Sequence, residues 1–438
     1  MAGGTWTTQN KVRPGVYINF ASEPKPLGSV GDRGIVTLAL PLPWGASKEI
    51  ITIQAGEKLQ DILGYDITAP ELLLIREALK RAKTLLLYRL NVGTKATATH
   101  TGLTVTALHG GVRGNDIAII IQQNIDEETK FDVRTLVSGV DVDLQTVANI
   151  AGLTANAWVN FSGTGSLEET AALPLTGGAN GTVTNQDHTD YLAAVEVYEF
   201  NTMGLTVTDP TLKSLYTSFV KRLREDEGYK IQLVVENYPI ADYEGVISVK
   251  NGVVLSDSTT LTAAQAVAWV AGATAGANVN ESLTYQAYDD AIDASPRYTN
   301  TQIVAALKAG EFVFTQNNGR ALVEQDINTL TGFTPDKGKQ FAKNRVIRVL
   351  DGINNDFKRI FEHFYVGKVD NNDDGRNLLK NECNSYLGTL QGIAAIQNFD
   401  AQNDVVVLPG NESDSVYIEV NAQPVDSVEK IYMKVQVR

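Results

Sequence analysis

The stretch ELLLIREALKRAKTLLLYRL, residues 71–90, predicts a helix that leads directly into a buried strand. Apolar residues recur at helical spacing in its first half, at Leu72, Ile75, Leu79 and Ala82. Pro70 stands at the helix start, where a missing N–H leaves no helical bond unmade. The second half, 84–90, and an upstream run, GIVTLAL at 34–40, are continuous apolar segments of strand length. This order indicates an α/β core.

The same alternation of helix and strand returns after residue 183. An amphipathic helix is predicted over 210–227 and a strand over 229–235. An Ala-rich helix is predicted over 262–277. Within it Gly272 and Gly276 stand four residues apart, a spacing that permits close packing against another helix.

Two Asn-Gly pairs predict tight β-hairpins, because Asn and Gly readily adopt the backbone conformation of short turns. One hairpin is expected over 246–255, with its turn at Lys250-Asn251-Gly252. The other is expected to join 311–315 to 320–324 across Asn317-Asn318-Gly319.

Residues 96–182 differ in character from the segments on either side. They are rich in Thr, Gly, Asn and Val, and turns such as GGVRGND at 110–116 separate short strand-like runs. Because insertions are tolerated at surface loops, the simplest account is a β-rich domain inserted into the α/β core.

Residues 331–438 predict a further unit with helices over 336–365 and 375–390. Strands are expected over 404–408, 415–420 and 428–437. The last strand alternates cleanly, and its apolar face consists of Ile431, Met433, Val435 and Val437.

The first twenty residues carry no helix signal and predict an extended arm. Its short strand, 16–20, contains Val16, Tyr17, Ile18 and Phe20. A terminal strand pairs either with the protein's own sheet or with the sheet of a neighbouring subunit. Periodicity alone favours the protein's own sheet.

Charge and hydropathy exclude several classes of partner. The chain has 438 residues and a net charge of −14, whereas nucleic acids and anionic membrane surfaces are bound by clustered Lys and Arg. The Ala-rich uncharged stretch 261–279 contains Gln265 and Asn278 and is too polar to span a membrane. No signal peptide is evident, which predicts folding in the cytoplasm.

One segment resembles the opening of a calcium-binding loop, DNNDDG at 370–375. Such a loop needs a bidentate Glu at its twelfth position, where this chain has Asn381. The favoured interpretation is a polar turn with Asp374 just before the next helix.

Two further groups of side chains are candidates for chemistry. Cys383 and His363 could form a nucleophile–base pair, but a buried structural cysteine is favoured. Asp289, Asp290 and Asp293 could share a helix face, with a solvated face as the favoured interpretation. We therefore predict no catalytic, cofactor-binding or metal-binding residue.

An ordered set of segments resembles the contractile tail sheath proteins of bacteriophages and phage-derived bacteriocins. The segments are RPGVYI (13–18), HGGVRGNDI (109–117), AWVAGATAGANVNESLTY (268–285), VEQDINTLTGF (323–333), KNRVIRVLDGINNDF (343–357) and YVGKVDNNDDGRNLLKNECNSYLGTLQ (365–391). Each is weak alone, but together they extend over nearly the whole chain in the expected order.

The resemblance implies a multidomain α/β and α+β fold. It combines an α/β core, an inserted β-rich domain of sandwich or barrel type, and a C-terminal α+β domain with extended terminal β arms. The expected bounds are an N-terminal arm at 1–20, a discontinuous α/β domain at 21–95 plus 183–330, the β-rich insertion at 96–182, and a C-terminal domain at 331–438. In this interpretation both terminal strands pair with neighbouring subunits.

The resemblance also implies a structural function rather than an enzymatic one. Subunits would stack as hexameric rings around a tail tube and contract by lattice rearrangement, with the tube, baseplate and tail terminator proteins as partners. Assembly would take place in the bacterial cytoplasm, and the product would be a phage tail or tail-like particle.

The helix over 354–365 is the candidate tube-facing surface, through Lys358, Arg359 and Glu362. An ordinary solvated helix face is the alternative at this position. For the whole chain, the alternative function is an α/β enzyme or ligand-binding protein with an appended β domain.

Overall fold

The computed structural model describes residues 2–4, 15–17 and 30–437. The chain divides into two compact units. The large unit comprises residues 31–355 and 424–437, and the small unit comprises 356–423 and the described residues up to 30. The result is a mixed α/β protein with several separate sheets.

The strands are short and numerous. They are β1 (Ala2–Gly4), β2 (Gly15–Tyr17), β3 (Ile35–Leu40), β4 (Ile50–Gln54), β5 (Thr84–Arg89), β6 (Thr97–His100), β7 (Leu103–Ala107), β8 (Ile117–Gln123), β9 (Phe131–Val137), β10 (Val140–Val147), β11 (Val159–Gly163), β12 (Thr170–Pro174), β13 (Thr202–Gly204), β14 (Gln232–Glu236), β15 (Val246–Val249), β16 (Gly252–Leu255), β17 (Thr260–Leu261), β18 (Ala291–Ser295), β19 (Glu311–Phe312), β20 (Phe314–Asn317), β21 (Arg320–Val323), β22 (Ile396–Gln397), β23 (Val405–Pro409), β24 (Val416–Val420) and β25 (Gln423–Pro424).

The α-helices are α1 (Gln60–Leu63), α2 (Leu73–Leu79), α3 (Asn185–Val195), α4 (Pro210–Glu225), α5 (Ala263–Gly276), α6 (Asn300–Lys308), α7 (Asn344–Phe364) and α8 (Asp373–Gly392). Short 3-10 turns occur at Pro70–Leu72, Val112–Asp116, Ile150–Gly152, Pro239–Ala241 and Lys339–Ala342. The helix predicted from residue 71 thus opens as a 3-10 turn, and the helix predicted from 336 begins later, at Asn344.

A seven-stranded sheet forms the centre of the large unit, in the order β19-β15-β14-β13-β3-β5-β4. Its strands are parallel except for β4, which runs antiparallel to β5. Helices cover both faces, and the side chains of each strand alternate between two cores. In β5, Leu85 and Leu87 pack with α2 and α5, whereas Leu86 and Tyr88 pack with α3 and α4. The apolar runs at 34–40 and 84–90 are therefore central strands, as the sequence predicted.

The close packing of α5 against α2 depends on its two glycines. A Cβ at Gly272 would overlap the backbone carbonyl of Ala78, and one at Gly276 would overlap that of Arg81. Trp269 of α5 is fully buried and stacks on Tyr288 at 4.4 Å between ring centroids. This helix therefore fixes the covering layer on one face of the sheet.

One predicted hairpin is confirmed and the other is wrong. β20 and β21 pair antiparallel across Asn318 and Gly319, which both have positive φ. Over 246–255, β15 instead joins the central sheet beside β14, and β16 pairs with β17 and β18 in another sheet. The reason is tertiary: the Asn251 side chain is buried and exchanges hydrogen bonds of 2.9 Å with the backbone of Phe314.

The β-rich segment forms two sheets, in the orders β10-β9-β8-β12 and β11-β7-β6. They share a core of their own that includes Trp158, Ile119 and Val105. The inward side chains alternate along each strand, as they do where one face of a sheet is buried and the other is solvated. Their strands lie between residues 97 and 174.

Candidate functional site

The C-terminal arm, residues 430–437, is the most exposed apolar segment of the large unit. Ile431 is 79 % exposed and Val437 is 95 % exposed, with Met433 and Val435 between them similarly open. The strand predicted over 428–437 does not form in the single chain, because the described residues offer its backbone no partner. A strand needs a second edge to supply its hydrogen bonds.

At the N-terminus, β2 pairs in parallel with β1. Val16 and Tyr17 of the predicted arm lie in β2, whereas Ile18 and Phe20 lie outside the described residues.

The second half of α7 presents the predicted charged face to solvent. Lys358, Arg359 and Glu362 are all exposed, and Arg359 donates a 3.0 Å hydrogen bond to Asp356 one turn earlier. The opposite face is buried in the small unit at Ile360. Arg359 therefore pairs with a carboxylate that is itself buried.

A hairpin in the small unit offers open strand edges. β23 and β24 pair antiparallel and form a sheet of their own among the described residues. Leu408 and Tyr417, paired across this hairpin, are 49 % and 54 % exposed. A two-stranded ribbon with exposed apolar side chains is a favourable template for a further strand.

Glu429, just before the C-terminal arm, is a functional candidate that the sequence reasoning missed. Its side chain accepts hydrogen bonds from Thr284 and Gln325 and pairs with Lys343. One signal was available in the sequence. Residues 431, 433, 435 and 437 are apolar, and Glu429 places a carboxylate at the preceding position of the same alternation, where burial would require a partner.

Cys383 and His363, the possible nucleophile–base pair, differ in exposure. Cys383 is buried in α8, and burial raises the pKa of its thiol to about 12. His363 is exposed on α7. A thiol with a raised pKa is a poor nucleophile, so the arrangement favours a structural cysteine.

We expect Cys383 in the folded protein to resist a thiol reagent at neutral pH and to react once the protein is unfolded. The measurement is spectrophotometric titration with an aromatic disulfide, with and without denaturant. A Val437→Cys variant provides the positive control, because position 437 is exposed. Stoichiometric labelling of native Cys383 within minutes would contradict the buried assignment.

The acidic segments serve as turns and ion pairs. At 370–375, Asn372 rather than Asp374 caps α8, accepting a 2.8 Å hydrogen bond from the Gly375 N–H. Its side chain precedes the helix, so the predicted cap is off by two residues. Among the described residues, no three His, Cys, Asp or Glu side chains gather as a metal site.

The predicted helix face at 289–293 is wrong, because residues 291–295 form strand β18. Asp289 instead receives two hydrogen bonds from Arg81, at 2.6 and 2.8 Å, and one from the Trp269 indole at 2.9 Å. Asp293 pairs with Arg297 at 2.7 Å. Arg297 lies only four residues after Asp293, whereas Arg81 is 208 residues from Asp289, so sequence spacing could not associate those two. Across the described ranges, no helix is both long and apolar enough to cross a membrane.

Four family descriptions match consecutive parts of the chain. They are the tail sheath protein Gp18 domain III N-terminal region at 33–90, the phage tail sheath protein beta-sandwich domain at 91–180, the phage tail sheath protein central domain at 181–329, and the phage tail sheath C-terminal domain at 336–438. Together they account for nearly all of the residues after 32.

Individual proteins give the same result. The chain is 66 % identical to the sheath tail protein of Desulfitobacterium hafniense, with a TM-score of 0.88 over 97 % of this chain and 100 % of that one. It is 40 % identical to the phage-like element PBSX protein XkdK of Bacillus subtilis over 100 % of both chains. The helical sheath of the anti-feeding prophage in its contracted state shares the fold, with a TM-score of 0.57, 15 % identity and coverage of 97 % and 99 %.

Proposed function

This chain belongs to the phage tail sheath protein family, and from that premise we propose that it polymerises as stacked hexameric rings around a tail tube and contracts to drive the tube through a cell envelope. The family is structural, and the chain is a sheath subunit of a phage tail or tail-like particle. The observation that carries the finer proposal is the apolar C-terminal arm, which is exposed in the single chain.

In this proposal the terminal arms are strands donated to neighbouring subunits. The C-terminal row of Ile431, Met433, Val435 and Val437 has the alternation of a strand that buries one face, and Val16, Tyr17, Ile18 and Phe20 would act likewise at the N-terminus. Backbone hydrogen bonds to an open edge would fix the register, while the alternate side chains would supply specificity. The open edges of the β23–β24 hairpin are the proposed acceptors.

The charged face of α7 is the proposed contact with the tail tube protein, through Lys358, Arg359 and Glu362. It is supported by the exposure of all three side chains on a helix whose other face is buried. Baseplate and terminator proteins would bound the assembly at its two ends. The predicted domain boundaries remain part of the proposal.

Contraction would be a switch between two lattices of the same subunit. Heterologous contacts that do not close generate helical filaments, and many identical contacts along a filament add up. Rigid subunits would reorient while the arms keep neighbours connected. The energy would be stored during assembly, so the step would consume no nucleotide. Assembly is proposed to take place in the bacterial cytoplasm.

Negative-stain electron microscopy with sedimentation at high protein concentration tests this function directly. We expect stacked rings or striated hollow tubes, either spontaneously or on addition of the cognate tail tube protein. Small uniform particles that persist in the presence of the tube protein would contradict the sheath function. They would favour the alternative of an enzyme or ligand-binding protein.

A further inference from the structure

Near the base of the C-terminal arm, the Glu429 carboxylate has three partners from other segments, and Asp426 approaches one of them, Lys343, at 4.0 Å. Glu429 accepts a 3.0 Å hydrogen bond from the Thr284 hydroxyl and a 2.5 Å hydrogen bond from the Gln325 amide, and it forms an ion pair with Lys343. These partners belong to three segments of the large unit: the loop after α5, the turn after β21 and the residue before α7. The side chain of Glu429 is only 10 % exposed.

One of these partners, Thr284, joins a buried polar network. The Thr284 hydroxyl accepts a 3.0 Å hydrogen bond from the backbone N–H of Asp326. The Asp326 carboxylate pairs with Arg348 at 2.5 Å and accepts a 2.9 Å hydrogen bond from the Asn344 amide, and all three side chains are buried. A buried, hydrogen-bonded network of this kind restricts the movement of the side chain that contacts Glu429. The contacts of Glu429 are therefore continuous with buried polar side chains of the unit.

Beyond this anchor, every described side chain is exposed. Glu429 is held on three sides, whereas side chains from Lys430 to Val437 are open to solvent. No hydrogen bond joins residues 430–437 to any other described part of the chain. A strand of eight residues reaches about 26 Å. The anchor therefore sets both the point from which the arm leaves and the distance it can span.

We propose that Glu429 is a positioning residue for assembly: it anchors the C-terminal arm so that its apolar row is presented to a second copy of this chain. This inference rests on the proposed function of the arm as a donated strand. A tethered strand finds its acceptor at an effective concentration that falls as the flexible tether lengthens. Releasing Glu429 lengthens that tether on its N-terminal side, and the arm loses its direction.

The test measures arm mobility and assembly separately. A spin label is placed on a Val428→Cys variant, where the side chain is 83 % exposed, while buried Cys383 leaves the label site-specific. We expect slow, anisotropic label motion with Glu429 present and clearly faster motion after Glu429→Ala. The concentration at which half the protein sediments as assemblies should rise about tenfold or more.

Two variants serve as comparisons. Lys430→Ala removes the neighbouring exposed charge and should leave the label motion unchanged. Glu429→Gln keeps the size of the side chain but loses the charge paired with Lys343, so its label motion should lie between those of the parent and the Ala variant. Label motion is read in the folded state, so a general loss of stability does not imitate the result.

The outcomes separate the two proposals. Unchanged label motion in both Glu429 variants overturns the anchor. Normal assembly by the Ala variant, in a protein whose assembly is abolished by removal of residues 431–438, also overturns it. Normal assembly after that removal overturns the arm function itself, and the anchor proposal with it.

Discussion

Removal of residues 431–438 is expected to abolish ordered assembly and to leave the subunit folded. The described side chains in this segment are exposed, so their loss removes little buried apolar area from the single chain. In the assembly, residues 431–438 of each subunit would supply a strand with its apolar side chains to a neighbour. Their removal would therefore delete one such contact at every subunit. The measurements are sedimentation and electron microscopy for assembly, and circular dichroism for folding.

Two arm variants test whether assembly depends on the apolar side chains of the arm or only on the presence of the C-terminal segment. Changing Ile431, Met433, Val435 and Val437 to Ser should abolish assembly, since the alternate side chains face the acceptor. Lys434→Gln alters the opposite face and should assemble normally. Regular tubes formed by the truncated protein would refute the donated strand.

Gly272→Ala is expected to destabilise the large unit by about 1–3 kcal/mol. The added methyl group would overlap the carbonyl oxygen of Ala78, which is backbone and cannot rotate away. Helix α5 would have to move off α2, and Trp269 would lose part of its packing. The measurement is the free energy of unfolding from chemical denaturation.

Gly352→Ala provides the matched control. It is also a glycine-to-alanine change in a helix of the large unit, but its new methyl group would approach only Val279, at 3.4 Å. Because Ala favours helix by about 0.8–1.0 kcal/mol over Gly, this variant should be neutral or slightly stabilising. Equal effects of the two substitutions would show that helix propensity, and not the α5–α2 contact, governs both.

Local sequence patterns were sufficient to predict the elements whose conformation depends mainly on neighbouring residues. Apolar period, the Pro at helix starts and the Asn-Gly turn predicted the central strands β3 and β5, helix α4 and the β20–β21 hairpin. The same Asn-Gly signal failed at 246–255. There the Asn251 amide bonds to the backbone of Phe314, a partner 63 residues away, and such a contact leaves no local trace.

Contacts between residues distant in sequence also determine which partners Asp289 and Asp351 have. Arg224 and Asp351 form a buried bidentate pair at 2.7 and 2.9 Å, although 127 residues separate them. The sequence predicted that Asp289 is a solvated carboxylate, whereas in the fold it pairs with Arg81. A buried charge must be paired, but the sequence alone does not say with which residue.

By itself, the sequence determined the α/β class, the structural character of the chain and its place in the tail sheath family, because periodicity and ordered motifs are properties of consecutive residues. Only the tertiary structure decided that the C-terminal row has no strand partner within the described chain and that Glu429 holds its base. Both facts depend on which surfaces meet. A strand is complete only when a second backbone supplies its hydrogen bonds, and a carboxylate is stable at a buried position only when the fold brings donors to it.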